Sequence, residues 1–336
     1  MRVVIDGIPI TGASLAIIID GLLKGWERLG SGDELHLVTT RDAQMSIPEG
    51  VHTHWVDLGK AGQLGRLYRQ NVTLPRICSQ VGADVMLGVL PTTAVTKLPC
   101  PRAVIVYDLR HEQRKEQFSP RALRMRTWSY NLGIRQADAV IAISERTRGD
   151  LLRSRSWLDP AKCGLAYLAA DHADSWPKPA VPADPPYAIA FGHYVNKNVE
   201  MLLDAWAMLR DSGESRPLQL FGIPDDYRAT IVDQVARLRL GDLVTPLAWM
   251  PAAEMHGRFA GAGLVVFPSD FEGFGMPTAE AMRLGIPVVI SPDPALVEVA
   301  GGHASVMKDW TAADLADGVS AAWGTTTAQL DAAKAW

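Results

Sequence analysis

Cysteine, long apolar runs and net charge are all scarce in this sequence. Its 336 residues include only three cysteines, Cys78, Cys100 and Cys163, with no CxxC pair. An odd number of widely spaced cysteines argues against a disulfide framework or a zinc site and fits a reducing compartment. The start, "MRVVIDGIPI", has too short an apolar run for a signal peptide. The stretch "LAIIIDGLL" is interrupted by Asp20 and is too short to cross a bilayer.

The charge is nearly balanced. The chain has 33 Lys and Arg against 37 Asp and Glu, which gives a net charge of −4. Nothing in this balance favours a polyanion, so we expect no nucleic-acid partner. With 48% hydrophobic residues, the composition is that of a globular protein with a large core. We therefore expect a cytoplasmic protein of about two domains.

Short apolar runs alternate with longer amphipathic ones along the chain. This βαβ rhythm predicts parallel sheets covered by helices on both faces. One predicted helix, "NVEMLLDAWAMLR", places its apolar residues on a single face: Val199, Leu202, Leu203, Trp206 and Leu209. The predicted strands are "RVVID", "ELHLVTT", "ADVMLGV", "PRAVIVYD", "ADAVIAIS", "YAIAFG", "PLQLFG", "GLVVFPS" and "IPVVIS".

A proline-rich stretch interrupts this rhythm. Residues 171–186, "DHADSWPKPAVPADPP", contain five prolines and are predicted to be a linker rather than a helix or central strand. The segments on either side, 1–170 and 187–325, are then two Rossmann-like, doubly wound α/β domains. We expect them to face a cleft that holds the ligand. Residues 326–336 are predicted to form a C-terminal helix.

The most informative motif is "FPSDFEGFGMPTAEAMRLG", residues 267–285, where Glu272 and Glu280 lie on either side of a glycine-rich turn. Glycines let the backbone approach a ligand, and Pro277 suits the first turn of a helix. The start of that helix can bind an anion, and a carboxylate can accept two hydroxyl hydrogen bonds from a ribose. The motif therefore fits a phosphate between two polyols. The alternative is a solvated loop glutamate and a helix-start glutamate favoured by the helix dipole.

The continuation "FPSDFEGFGMPTAEAMRLGIPVVIS" resembles the signature of retaining nucleotide-sugar glycosyltransferases with the GT-B fold. The family is group 1, also called glycosyltransferase family 4, of the E-x7-E type. The resemblance is strong over 187–300 and looser over 1–170. It implies that Glu272 contacts the donor sugar, that Glu280 binds the ribose, and that the remaining donor-binding residues of this stretch are Phe274, Gly275, Met276, Pro277 and Thr278.

A second stretch, "FGHYVNKN", follows a predicted strand and precedes a helix. In the family that it resembles, a lysine here holds the diphosphate, and Lys197 matches it. The arginine that usually accompanies that lysine is missing, and His193 and Asn196 occupy the region instead. The resemblance also implies that the loop "DGIPITGAS", with Gly12, closes over the diphosphate. The alternative is a surface lysine before a helix.

A third stretch, "VIVYDLRHEQ", has Tyr107 and Asp108 where the family often has His-Asp. Tyrosine is a poor acid or base at neutral pH, so Tyr107 is assigned a positioning role on the acceptor side. Asp108 is grouped with Lys197 and Glu272 as catalytic, although it could instead only stabilise the turn. Arg110 and His111 follow and are predicted to meet the acceptor or a phosphate.

A basic segment, residues 119–135, holds Arg121, Arg124, Arg126 and Arg135 and no acidic residue. Weak contact with the inner face of a membrane is one interpretation. A core-packed helix with a solvated basic face is the plainer one. Separately, Asp270-Phe271-Glu272 resembles a metal-binding acidic triplet, but no cluster has convincing metal spacing. We therefore expect no metal cofactor.

Together with these features, the family resemblance implies a retaining, metal-independent glycosyltransferase. It would move a sugar from a UDP- or GDP-sugar to the hydroxyl of a carbohydrate, lipid-linked or small-molecule acceptor. Two alternatives stay open at this point. One is a sugar-nucleotide 2-epimerase-type isomerase, which would share the fold and the ligand class. The other is a non-catalytic glycosyltransferase-like partner protein. The family usually ends in a helix that returns to the N-terminal domain. The C-terminal segment is short for such a helix, so we expect that the chain is truncated or closes differently.

Overall fold

The structure is a computed structural model that describes residues 1–10, 12–43, 45–59, 62–181, 183–214 and 216–336. The chain divides into two compact units, Met1–Ala169 and Ala170–Trp336. We call them unit 1 and unit 2 and describe each by itself.

Unit 1 is built on a parallel sheet, and five of its seven described strands follow the predicted apolar runs. Its elements in chain order are β1 (Arg2–Asp6), α1 (Ala13–Leu29), β2 (Glu34–Thr39), β3 (Val51–Trp55), α2 (Gln63–Tyr68), a π-helical turn (Arg69–Thr73), α3 (Leu74–Val81), β4 (Val85–Gly88), β5 (Arg102–Val106), α4 (Arg110–Gln113), α5 (Pro120–Gln136), β6 (Ala139–Ala142), α6 (Glu145–Ser154) and β7 (Cys163–Leu165). Within the described residues the strand order is β3-β2-β1-β4-β5-β6-β7, all parallel. The two edge strands, β3 and β7, were not predicted.

Unit 2 repeats this architecture with a smaller sheet. Its elements are β8 (Ala188–Phe191), α7 (Val199–Asp211), β9 (Leu218–Phe221), α8 (Asp225–Arg237), β10 (Val244–Pro246), α9 (Ala252–Ala260), β11 (Leu264–Phe267), α10 (Met276–Leu284), β12 (Val288–Ile290), α11 (Pro294–Ala300), β13 (Ser305–Val306), α12 (Ala312–Ala322) and α13 (Thr327–Ala335). The described strands are ordered β10-β9-β8-β11-β12-β13, again all parallel.

The burial of the strands explains why both sheets form. All of β11 is at most 1% exposed, and the apolar residues of β1 are equally covered. Continuous apolar runs of this kind are typical of parallel strands that have helices on both faces. The apolar face predicted for α7 is confirmed, since Val199, Leu202, Leu203, Trp206 and Leu209 are all buried. The predicted class, two doubly wound α/β domains, is confirmed.

The predicted linker contains a local helix that the proline count did not anticipate. Asp171–Ser175 can form a 3-10 helix because its five residues precede the first proline of the stretch. This helix contacts α10. Trp176 is buried behind it. Pro182 of this stretch lies outside the described residues.

The strand order of unit 2 determines where a ligand site belongs. From β8 the chain proceeds to β9 and β10 on one side, and then returns to β11 on the other side of β8. The loops after β8 and β11 therefore diverge at the carboxyl edge of the sheet. In open parallel sheets this topological switch point is where ligands bind.

Candidate functional site

The loops that follow β8 and β11 are joined by hydrogen bonds. The Asp270 backbone N–H donates to the Asn196 carbonyl over 3.0 Å, and the Ser269 hydroxyl donates to the same carbonyl over 2.9 Å. The Asn198 amide reaches the Pro268 carbonyl at 2.8 Å. Two stretches about 75 residues apart in sequence are thereby held as one structure at the switch point of the sheet.

Asn196 is the central residue of this junction. Its side-chain nitrogen lies 2.8 Å from the Ser269 hydroxyl, 2.9 Å from the Phe271 carbonyl and 3.4 Å from Glu272 Oε1. The side chain is 2% exposed, and its Oδ1 has no hydrogen-bond partner among the described residues. A buried amide oxygen of this kind normally finds a donor. Asn196 therefore orients Glu272 and keeps acceptor capacity beside it.

Lys197 and Glu272, assigned from separate motifs, form an ion pair. Lys197 Nζ lies 2.5 Å from Glu272 Oε1, with the two side chains 7% and 16% exposed. The ammonium also lies 4.1 Å from the centre of the Phe267 ring, at the end of β11. Because an ammonium has three N–H donors, the carboxylate fixes its position and leaves it able to bind further oxygens.

Helix α10 starts directly after this junction. Gly275 caps it at φ 97°, and an added Cβ there would lie 2.3 Å from Leu296 Cδ2. Pro277 occupies the first turn, as the sequence predicted. Thr278 is fully buried in that turn, and its hydroxyl has no hydrogen-bond partner among the described residues. The positive end of the α10 dipole thus follows the Lys197–Glu272 pair by only four residues of the chain, counted from Glu272 to Met276.

Glu280 has a partner that the sequence did not indicate. His172 Nε2 lies 2.9 Å from Glu280 Oε1, and the two side chains are 15% and 12% exposed. His172 meets the Trp176 ring edge-on, and Trp176 stacks on His256 at 4.3 Å. These contacts orient the Glu280 carboxylate from the chain segment before the first proline. Only a histidine and a tryptophan near each other in that segment could have suggested them.

The structure brings together most of the residues predicted to bind the donor. His193, Asn196 and Lys197 follow β8, whereas Glu272 and Phe274 follow β11, and Phe274 is 6% exposed. Gly275, Met276, Pro277, Thr278 and Glu280 continue into α10. Gly12 belongs to unit 1, where it precedes α1 in extended conformation and an added Cβ would meet nothing within 4 Å.

The predicted acceptor-side residues follow β5 in unit 1. Asp108 Oδ1 accepts a hydrogen bond from the Arg110 N–H over 2.9 Å, so Asp108 stabilises the turn before α4. The Tyr107 hydroxyl is buried without a partner among the described residues, and burial raises the pKa of Tyr107. His111 is 1% exposed and packs edge-on against Tyr130 with the ring centres 4.7 Å apart. Their roles toward an acceptor stay predictions.

The buried His111 predicts an acid-sensitive stability. Burial lowers its pKa to about 4 from 6.5, with Glu112 and Asp108 opposing the shift and Arg126 and Arg155 adding to it. The unfolded chain therefore binds more protons between these values, and stability should fall as pH drops through that window. The expected loss from pH 7 to pH 5 is on the order of 1–2 kcal/mol. Urea unfolding of the wild type and of His111→Gln at both pH values measures it.

The difference between the two proteins isolates this histidine, since the other titrating groups are common to both. The glutamine variant should lose less stability on acidification. Equal losses in both proteins would contradict a neutral, buried His111.

Among the described residues, no three His, Cys, Asp or Glu side chains are arranged to hold a metal ion. No helix in the described part of the chain has the length and apolarity needed to cross a membrane.

Sequence comparison finds relatives for part of the chain. Residues 173–323 match the family model "Glycosyl transferases group 1". O-antigen chain mannosyltransferase B of Escherichia coli is 28% identical over 178 residues, which is 49% of this chain and 46% of that protein. The MMP alpha-(1->4)-mannosyltransferase of Mycolicibacterium hassiacum is 29% identical over 181 residues, which is 54% of this chain and 43% of that protein. The match thus spans less than half the length of either relative.

Structural comparison extends over the whole chain. Anabaena Alr3699/HepE in complex with UDP and glucose matches with a TM-score of 0.70 and 18% identity, over 100% of this chain and 94% of that one. WaaG, a glycosyltransferase involved in lipopolysaccharide biosynthesis, matches with a TM-score of 0.69 and 13% identity over the same shares. At such identities the likeness concerns the fold, and it confirms the predicted GT-B class.

The E-x7-E subtype stays a prediction. Residues 173–323, within a chain of GT-B fold, resemble the group 1 glycosyltransferases.

Proposed function

We propose that this protein transfers a sugar from a nucleoside-diphosphate sugar to an acceptor hydroxyl. One observation carries the proposal: the Lys197–Glu272 pair and the start of α10 meet where the strand order of unit 2 reverses. A lysine ammonium and a helix N-terminus are two common ways to hold phosphate oxygens. The UDP and glucose bound to the Anabaena protein, and the mannosyl transfer named for the two sequence relatives, support the same ligand class.

The residues divide the donor between them in this proposal. Glu280 binds the ribose diol, because a carboxylate engaged by one imidazole still has lone pairs for hydroxyls. Glu272, steered by Asn196 and Lys197, binds the transferred sugar. The diphosphate lies against the first turn of α10, near Phe274, Met276, Pro277 and Thr278, with His193 alongside. Gly12 contributes from unit 1, as the family resemblance implies.

The chemistry follows from charge placement. When the bond between the anomeric carbon and the phosphate oxygen breaks, negative charge grows on the diphosphate. Lys197 and the α10 dipole stabilise that charge without a metal ion. We propose retention at the anomeric carbon by a front-face route. The acceptor oxygen bonds to the carbon on the side that the phosphate leaves, and the departing phosphate takes the acceptor proton. Tyr107, Asp108, Arg110 and His111 are proposed to serve the acceptor side.

Glu280→Ala tests the donor site directly. Loss of a charge-assisted hydrogen bond to the ribose should weaken nucleoside-diphosphate affinity about ten- to hundredfold, from a free-energy change of ~1.5–3 kcal/mol. Calorimetric titration with UDP and GDP measures it. Glu254→Ala, at an exposed glutamate of α9 that pairs with Arg258, is the matched control and should bind as the wild type does.

The result would contradict the site if Glu280→Ala and the control bound nucleotides equally well. Incubating the wild-type protein with donor alone separates the isomerase alternative, because an epimerase converts the sugar nucleotide without an acceptor and without a change of mass. A partner protein without catalysis would bind the donor and release no nucleotide with any acceptor.

A further inference from the structure

Helix α5 of unit 1 has one face packed on the core and an opposite face that is not purely polar. Tyr130, Gly133 and Ile134 are its buried residues. At about 100° per residue, they lie on one side of the helix. On the other side, Met125 is 63% exposed and Trp128 is 67% exposed. A merely solvated basic face has no need of a tryptophan and a methionine, whose exposure to water is unfavourable.

The charged residues of this outer side flank the two apolar ones. Arg121 and Arg124 come about two turns and one turn before Trp128, respectively, and Arg135 comes about two turns after it. Arg121 and Arg124 have no acidic partner among the described residues. Arg135 lies over the Trp157 ring at 3.9 Å, and Trp157 is 37% exposed. We call this set the α5 outer surface: Arg121, Arg124, Met125, Trp128, Arg135 and Trp157.

We propose that the α5 outer surface docks unit 1 on a membrane rich in anionic phospholipid. Arg121 to Arg135 lie along one helix over about 21 Å, and such a ridge can contact a plane along its length. Segment 119–135 has four arginines and no acidic residue to repel phosphate headgroups. The indole of Trp128 suits the boundary between headgroups and acyl chains, where amphipathic rings concentrate.

The same features determine the strength and character of this contact. Each arginine near an anionic surface strengthens binding severalfold, and the attraction is screened within a Debye length. One tryptophan and one methionine supply little apolar area, so the helix lies on the surface and does not insert. Binding is therefore reversible and sensitive to salt. The inference is independent of the proposed function, but it would place the acceptor site where lipid-linked sugars are found.

Vesicle flotation with the full chain tests the docking. The wild type should float with phosphatidylcholine vesicles that contain phosphatidylglycerol and not with phosphatidylcholine alone, and 0.5 M salt should release it. Arg121→Glu/Arg124→Glu should lower the partition coefficient at least tenfold, and Trp128→Ala should lower it severalfold. Both variants should keep the wild-type melting temperature, because these side chains are exposed.

Arg237→Glu/Lys308→Glu is the matched control, since it makes the same charge change at exposed residues of unit 2. It should float as the wild type does. The proposal would be overturned by equal flotation with both vesicle types, or by an equal loss in the control. It would also be overturned if the wild type bound no vesicles and instead sedimented as a dimer that Trp128→Ala dissociates. The partner of the α5 outer surface would then be a second copy of the chain.

Discussion

Lys197→Met is expected to lower the free energy of unfolding by about 3 kcal/mol, because it leaves Glu272 charged and mostly buried without its cation. The carboxylate is 16% exposed, and its other described contact is the long 3.4 Å approach of the Asn196 amide. Methionine fills nearly the same volume as lysine, so the loss reports the charge rather than a cavity. Urea denaturation monitored by circular dichroism measures it.

The double variant Lys197→Met/Glu272→Gln is the control that identifies the ion pair. With both charges removed, the penalty of an isolated buried carboxylate disappears, and most of the lost stability should return. Additive losses in the double variant would contradict the pair. Turnover should respond differently, falling by about ten- to hundredfold in both proteins, because neither provides a cation for the leaving diphosphate.

Gly275→Ala is expected to be the second severe substitution and to cost about 3 kcal/mol of stability. The residue sits at φ 97°, beyond the left-handed region that other residues tolerate, and the new methyl group would meet Leu296 Cδ2 at 2.3 Å. Leu296 is fully buried, so it cannot move aside freely. The start of α10 would shift with it, and nucleotide affinity should fall together with the melting temperature.

Gly285→Ala separates the cost of the backbone conformation from the cost of the clash with Leu296, because it makes the same substitution at the other end of the same helix. Gly285 also has positive φ, 71°, but an added Cβ there would meet nothing within 4 Å. Only the backbone penalty of about 1 kcal/mol should apply, with nucleotide binding unchanged. Similar effects of the two substitutions would show that the contact with Leu296 is unimportant.

The central strands could be predicted from the sequence, whereas the strands at the sheet edges could not. β1, β8 and β11 are nearly uniform apolar runs, so their pattern indicates burial on both faces. β3 is "VHTHW" at one edge of its sheet, and its polar residues give it no apolar run by which a strand could be recognised. β13 has only two residues, Ser305 and Val306, and depends on its pairing with β12. Edge strands need less apolar surface than central strands. Because apolar periodicity is the main sequence signal for a strand, edge strands are missed.

The candidate site shows a similar limit. Local chemistry indicated Lys197 and Glu272 separately, as a phosphate ligand and a sugar ligand. That the two form one pair depends on β8 lying beside β11, which is a property of strand order and not of either motif. His172 was missed because it lies in a stretch whose prolines predicted only a linker, and because its contact with Glu280 depends on where α10 lies in the fold.

Helix α10 is also held by the point at which the chain enters unit 2. His172 contacts Glu280, and Asp174 binds Arg283 one turn further along the same helix. A ligand bound by the Glu280 carboxylate therefore contacts a helix that is also held by Asp171–Ser175. If binding changes the His172–Glu280 contact, then by reciprocity the conformation of Asp171–Ser175 changes ligand affinity by the same factor. Because the Trp176 ring packs against His172, its fluorescence would report that change.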